Sequence, residues 1–243
     1  MTHSKFVVVG SGQIGTPVVE RLAREGHEVV WVSRGKPSHI PSGATHFALD
    51  ARHGSELAKL ATGARAIIAA VSPPIYDAVV WKELFTPLIG GLIEGARLSG
   101  SRLVLLDNLY MYALDRGPLS PTTPQEPSTE KGKVRKALAD MVVAAQQQGV
   151  RAVMLRASDF LGPDLARSLL SPSALERIKN GKSPILVGNP DAPHAFSMRD
   201  DVVDALIQLA FASSDVEGRV FHAPVVHRRG TSSSSRQRGK ARP

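Results

Sequence analysis

"KFVVVGSGQIG", Lys5 to Gly15, joins four apolar residues to glycines at 10, 12 and 15. A short continuous apolar run is what a strand covered on both faces requires. Directly after the glycines comes "TPVVERLAREG", which places Val18, Val19 and Leu22 on one helical face and stops at Gly26. Gly10, Gly12 and Gly15 therefore read G-x-G-x-x-G between a strand and a helix. The first glycine permits a tight turn, the second lets the backbone approach a pyrophosphate, and the third allows close helix–strand packing. Gln13 and Ile14 complete the loop, and the helix N-terminus offers amide N–H groups to phosphate oxygens.

The same alternation continues along the chain. Strands are expected at Phe6–Val9, Glu28–Val32, Thr45–Ala48, Ala66–Val71, Leu103–Leu106 and Ala152–Arg156. The run from Glu130 to Gly149 carries Val134, Leu138, Met141, Val142 and Ala145 at helical spacing. Pro87 predicts that the long stretch Tyr76–Ser99 divides into two helices near Phe85. Strands alternating with helices imply an α/β fold, a Rossmann-type doubly wound parallel sheet, over residues 1–156. From 157 to 226 the chain is richer in loops and prolines, with a last helix near Asp201–Ser213; a small C-terminal lobe, interleaved with the first domain and covering the strand ends, is expected there.

Composition narrows the classes. The chain has 243 residues, 42% of them hydrophobic, and no cysteine, which excludes disulfides and thiolate metal sites. No apolar run spans a bilayer and no leader precedes the first strand, so a cytoplasmic protein with no membrane partner is expected. The net charge of +8 is concentrated in "HRRGTSSSSRQRGKARP", residues 227–243, which holds six Lys/Arg and no acid. The remaining 24 basic and 22 acidic residues nearly balance. The tail lacks apolar periodicity and reads as disordered. A basic patch confined to such a tail argues against nucleic acid as the partner of the folded body.

The end of the second strand bears on the cofactor. An NAD site wants an acid about 20 residues beyond the glycines to hold the ribose 2′-hydroxyl. "VVWVSRG" places Ser33 and Arg34 there instead. A hydroxyl and an arginine suit a 2′-phosphate, so NADP is expected over NAD, although an arginine after a strand is also an ordinary surface residue. Asp50, closing "HFALD", stands where a carboxylate meets an adenine amino group, or where one caps the next helix.

With "GSGQIG", "LVLLDNLYMY", "LRASDFLGP" and "HAFSMRDDVVDAL" following in this order, the chain resembles the extended or atypical short-chain dehydrogenases/reductases of the NAD-dependent epimerase/dehydratase type, from Lys5 to about Pro224. The resemblance implies a dinucleotide lying along Gly10, Gly12, Gln13, Ile14 and Gly15, past Ser33, Arg34, Asp50, Ala51, Ala70 and Val71. It would reach Asn108 and the backbone of Ala157, Ser158 and Asp159, with a small-molecule substrate beyond. The family places a serine or threonine after the fifth strand, then Tyr-x-x-x-Lys on the next helix. Here Asn108 falls on the hydroxyl position. In "STEKGKVRKALAD" Lys136 stands four residues before Asp140, as the family lysine stands before an acid, and Gly132 occupies the tyrosine position. A one-residue shift offers Lys131 in its place.

Tyr110 and Tyr112 are the tyrosines close in sequence. Tyr112 matches a family position used in packing and is the candidate substitute acid; His194 is a loop histidine that could also hold a proton. No H-E-x-x-H or G-x-S-x-G occurs, so metal hydrolysis and serine esterase chemistry are not indicated. Two functions remain: an NADP(H)-dependent oxidoreductase or epimerase-like enzyme acting through Asn108, Tyr112 and Lys136, and a dinucleotide-binding redox sensor or regulator without turnover.

Overall fold

The computed structural model describes residues 3–73, 75–113, 117–162, 165, 168, 170–183 and 194–226. The expected disordered tail, 227–243, lies outside the described residues. Seven strands form one parallel sheet in the order β3-β2-β1-β4-β5-β6-β9. They are β1 (Lys5–Val9), β2 (Glu28–Ser33), β3 (Ala44–Ala48), β4 (Ala66–Ala69), β5 (Arg102–Asp107), β6 (Ala152–Arg156) and β9 (Val220–His222). The chain runs outward from β1 through β2 to β3, then crosses back to β4 on the other side. This reversal opens a crevice outside the carboxyl ends of β1 and β4, where doubly wound sheets bind ligands.

Both faces of the sheet are covered, and β1 shows why its sequence is uniformly apolar. Phe6 and Val8 pack with Val18, Val19 and Leu22 of α1 (Gly15–Arg24) and Val202 and Leu206 of α6 (Arg199–Phe211). Val7 and Val9 face the other way, into a core with Leu57 of α2 (Gly54–Ala61), Phe85 of α3 (Ala78–Ser99) and Leu138 of α4 (Glu130–Gln147). Period-2 alternation thus feeds two cores from one strand.

One expectation changes. Tyr76–Ser99 does not divide at Phe85: α3 is one helix from Ala78 to Ser99 with Pro87 inside it. Asp77 caps it by accepting from the amides of Val79 and Val80 at 2.9 and 3.0 Å. Its buried stripe of Trp81, Phe85, Ile89, Leu92 and Ala96 runs through the proline turn, so tertiary burial outweighs the lost backbone hydrogen bond. The close approach of α2 and α3 depends on Gly91, where any Cβ would strike the backbone of Ala51 and Arg52.

Within 157–226, the lobe proper consists of a two-stranded parallel sheet, β7 (Asp159–Leu161) with β8 (Phe196–Met198), and the short α5 (Pro172–Lys179). From Arg199 the chain returns to the main body: α6 lies beside α1, and β9 adds to the sheet outside β6. Arg102, buried at the start of β5, fixes that return. Its guanidinium donates to the carbonyls of Leu209, Ala212 and Ser213 at the end of α6 and pairs with Glu217 at 2.8 Å. A cation on orphan C-terminal carbonyls is a favourable helix cap.

Candidate functional site

A single cleft crosses the carboxyl ends of β1, β2, β4, β5 and β6, from the glycine loop at one end to the β7–β8 lobe at the other. Gly10, Gly12, Gln13 and Ile14 line it, as do Ser33, Arg34, Asp50, Ala51, Ala70, Val71, Asn108, Ala157, Ser158 and Asp159. Gly15 sits behind the loop, where a Cβ would fall on the carbonyl oxygen of Gly10. Gly10 has φ +116°, and a side chain there would fall on the carbonyl oxygen of Ala70. The loop is pinned from outside: the Trp31 indole donates to the Gly10 carbonyl at 2.9 Å, and the Gly10 amide donates to Val32 at 2.9 Å.

Gly12 differs from the other two, because a Cβ added there meets nothing within 4 Å. Glycine at this position serves the cleft rather than the fold. No side chain caps α1, and its first turn holds no acid, so the positive helix end is not neutralised. Loop and helix end together form an anion cradle.

At the end of β2, the Ser33 hydroxyl donates to the Gly35 carbonyl at 2.7 Å and lies 2.9 Å from Nε2 of His46, so its hydrogen-bonding capacity is largely used within the loop. Arg34 beside it is exposed. Asp50 accepts from the Arg52 amide at 3.0 Å and from the Arg52 guanidinium at 2.6 and 2.9 Å. This bond lowers the Asp50 carboxyl below the usual range despite partial burial, with Arg34 adding to the pull. His53, not Asp50, precedes α2 as its cap. Arg34 and Arg52 thus place two cations around one carboxylate at this end of the cleft.

The other end departs from the expected triad. Lys136 does not reach the cleft: it lies on the outer side of α4 and pairs with Asp140 at 2.8 Å. One residue is about 100° of helical rotation, and the neighbour, Arg135, faces inward instead. Arg135 is nine-tenths buried, lies 4.8 and 4.6 Å from the ring centroids of Trp81 and Phe85, and pairs with Asp107 at 3.6 Å. Its Nε has no hydrogen-bond partner. Lys131, one turn earlier, places Nζ 4.1 Å from the centre of the Tyr76 ring. Gly132 lies against the β5 loop so closely that any Cβ would strike the Tyr110 carbonyl.

Tyr112 also departs from its expected role. It is 1% exposed, accepts from Arg156 at 2.6 Å, and lies 2.9 Å from Nε2 of His222. Burial and the Arg156 charge lower the His222 pKa, which favours a neutral ring that accepts a hydrogen bond from the Tyr112 hydroxyl. Arginine can only donate, so the Tyr112 hydroxyl, although the residue borders the cleft, is committed to Arg156 and His222. Arg156 in turn pairs with Asp107 at 3.3 Å. Burial pushes the Asp107 carboxyl up and the Arg135 guanidinium down, each against its partner's attraction. The cost of burying these charges thus outweighs the pairing.

Tyr110 lies in the cleft itself. Its amide donates to Asn108 Oδ1 at 3.1 Å, and its ring stacks on Trp81 with centroids 5.9 Å apart and 14° between planes. Burial raises its pKa above the ordinary phenol value; the Asp159 carboxylate adds to this and Arg135 opposes it. His194 pairs with Asp159 at 2.6 Å on the lobe side. Arg135, Asp107, Arg156 and His222 did not emerge from motif spacing. Helical phase offered one signal: Arg135 is three residues before Leu138 on the buried face, whereas Lys136 is two before it and faces away.

The architecture agrees with solved structures. The UDP-N-acetylglucosamine 4-epimerase of Methanobrevibacter ruminantium M1, in complex with UDP-N-acetylmuramic acid, superposes with a TM-score of 0.77 at 18% identity, covering 92% of this chain and 77% of that one. The dTDP-glucose 4,6-dehydratase DesIV of Streptomyces venezuelae, solved with NAD bound, gives 0.75 at 19%, covering 90% and 75%. The Bordetella bronchiseptica enzyme WbmG in complex with NAD gives 0.72 at 21%, covering 91% and 73%. At these identities the likeness is one of fold. No curated protein matches the sequence significantly. The sequence model of the NAD dependent epimerase/dehydratase family matches residues 6–223, nearly all of the strand–helix body described above, and the chain belongs to that family.

Proposed function

We propose that the protein is an NADP(H)-dependent oxidoreductase or epimerase-like enzyme that works without a tyrosine on α4. The carrying observation is the cleft: an anion cradle of Gly10, Gly12 and the uncapped α1, followed at the end of β2 by Ser33 and the exposed Arg34 where an NAD site would hold an acid. The residues fit a dinucleotide. Gly12 leaves room for a pyrophosphate, Arg34 and the Asp50-held Arg52 meet a 2′-phosphate, and Asp50 and Ala51 border the adenine. Arginine is the better partner there because its planar fork binds phosphate bidentately.

When bound, the cofactor supplies or accepts a hydride at the nicotinamide. The chain's own part is to orient that ring near Asn108 and Ala157–Asp159, exclude water with the lobe, and hold a proton for the substrate oxygen. The test is titration of NADPH and NADH by fluorescence or calorimetry. Wild type is expected to prefer NADPH by at least tenfold, about 1.4 kcal/mol, and Arg34→Ala to erase most of that preference. Equal affinities in wild type refute it.

A second reading, a dinucleotide-responsive sensor without turnover, is favoured by the absence of a tyrosine from Glu130–Gln147 and by the outward Lys136. It predicts the same binding and no reduction of any carbonyl.

A further inference from the structure

We propose that Tyr110, carried on the loop after β5, is the proton donor of this cleft and serves a carbonyl substrate of apolar body. This rests on the NADP(H) reading above. The chain has three tyrosines, and the fold separates their hydroxyls. Tyr112 is buried and its hydroxyl is taken by Arg156 and His222. Tyr76 stands on the outer rim, 59% exposed, with Lys131 against its ring face. Tyr110 lies between them, half-buried on the cleft wall, and makes no hydrogen bond through its hydroxyl among the described residues.

Three features fit that hydroxyl for the role. Stacking on Trp81 and the edge contact with Tyr76, centroids 6.0 Å apart, fix the ring. Arg135 also lines the cleft, and its charge opposes the burial and the Asp159 charge that together raise the phenol's pKa. Asn108 spends Oδ1 on the Tyr110 amide, which leaves its NH₂ as a donor with no partner among the described residues. Asn108, Tyr110 and Arg135 then present donors to the cleft, the arrangement that stabilises an oxyanion. The surrounding wall is Trp81, Phe85, Phe160, Phe196 and Val226 with Tyr76, which suits an apolar substrate body.

The step balances as a carbonyl reduction. A reduced nicotinamide dinucleotide supplies a hydride, and so two electrons, to the carbonyl carbon. The C=O π pair becomes the new O–H bond with the proton of Tyr110. The phenolate left behind regains a proton from solvent.

Two measurements test this. In alkaline titration of tyrosine absorbance, saturating NADP⁺ should shift one step of wild type, and Tyr110→Phe should abolish that NADP⁺-dependent shift while keeping NADP⁺ binding. A shift of the same size in Tyr110→Phe overturns the assignment. In NADPH oxidation against aromatic and alicyclic aldehydes and ketones, Tyr110→Phe should lower kcat by about 10²–10⁴-fold while its NADPH Kd stays within about threefold. Retention of more than a third of wild-type kcat overturns it. Wild type that binds NADPH yet reduces none of the panel also overturns it and leaves the binding reading standing. Failure to bind NADPH removes the binding reading first.

Discussion

Gly10→Ala and Gly12→Ala, two residues apart in one loop, should fail in opposite ways. At Gly10, φ is +116° and an added Cβ would overlap the carbonyl of Ala70, whose own amide donates to Val9 at 2.9 Å. A non-glycine residue in such a conformation costs about 1–3 kcal/mol, and overpacking adds about 1–3 kcal/mol. A loss near 3 kcal/mol lowers Tm by roughly 6–12 °C in a chain of this size. At Gly12 the φ is not positive and nothing lies within 4 Å. Alanine there strains nothing and stiffens the unfolded chain, which is worth about 0.4–1 kcal/mol of added stability. Its methyl, however, occupies the space that a pyrophosphate needs, and NADPH affinity should fall by about 10–100-fold, or 1.4–2.8 kcal/mol. Thermal melting by circular dichroism and NADPH titration of both variants separate the effects. The reasoning is refuted if Gly12→Ala binds NADPH as tightly as wild type, or if Gly10→Ala melts with it.

Pro87→Ala should stabilise the protein by about 1–3 kcal/mol, because the exposed ring breaks α3's hydrogen bonding and packs nothing; unchanged denaturant midpoints would contradict this. Arg102→Met should cost about 1–3 kcal/mol by leaving the last α6 carbonyls without their donor, Glu217 keeping only Arg151, read as a lower urea midpoint at constant m-value. His222 is held neutral by a lowered pKa, so the unfolded state takes up the proton first. Stability from this group is complete above about pH 6.5 and falls as the pH drops below it. His222→Gln should flatten that part of the pH–stability curve, and an unchanged slope would contradict the assignment.

The glycine loop, the strand–helix alternation and the missing acid after β2 were legible in the sequence because each is a local requirement. A turn, a phosphate approach and a buried strand each demand residue types within a few positions of one another. Pro87 misled for the complementary reason. A local rule ends a helix there, but the stripe from Trp81 to Ala96 is buried against α2 and the sheet, and that long-range burial keeps α3 whole. The candidate catalytic residues depended on tertiary structure still more. Lys136 and Arg135 differ by one position in a basic run, and only the packing of α4 through Leu138 and Val142 turns Arg135 to the cleft and Lys136 to solvent. Tyr110 and Tyr112 differ by two, yet Arg156 of β6 and His222 of β9 bind one hydroxyl, while Trp81 of α3 supports the other in the cleft. Those partners lie tens of residues away along the chain. Side-chain direction at an active site is set by what packs behind it, and that is decided only when the sheet closes.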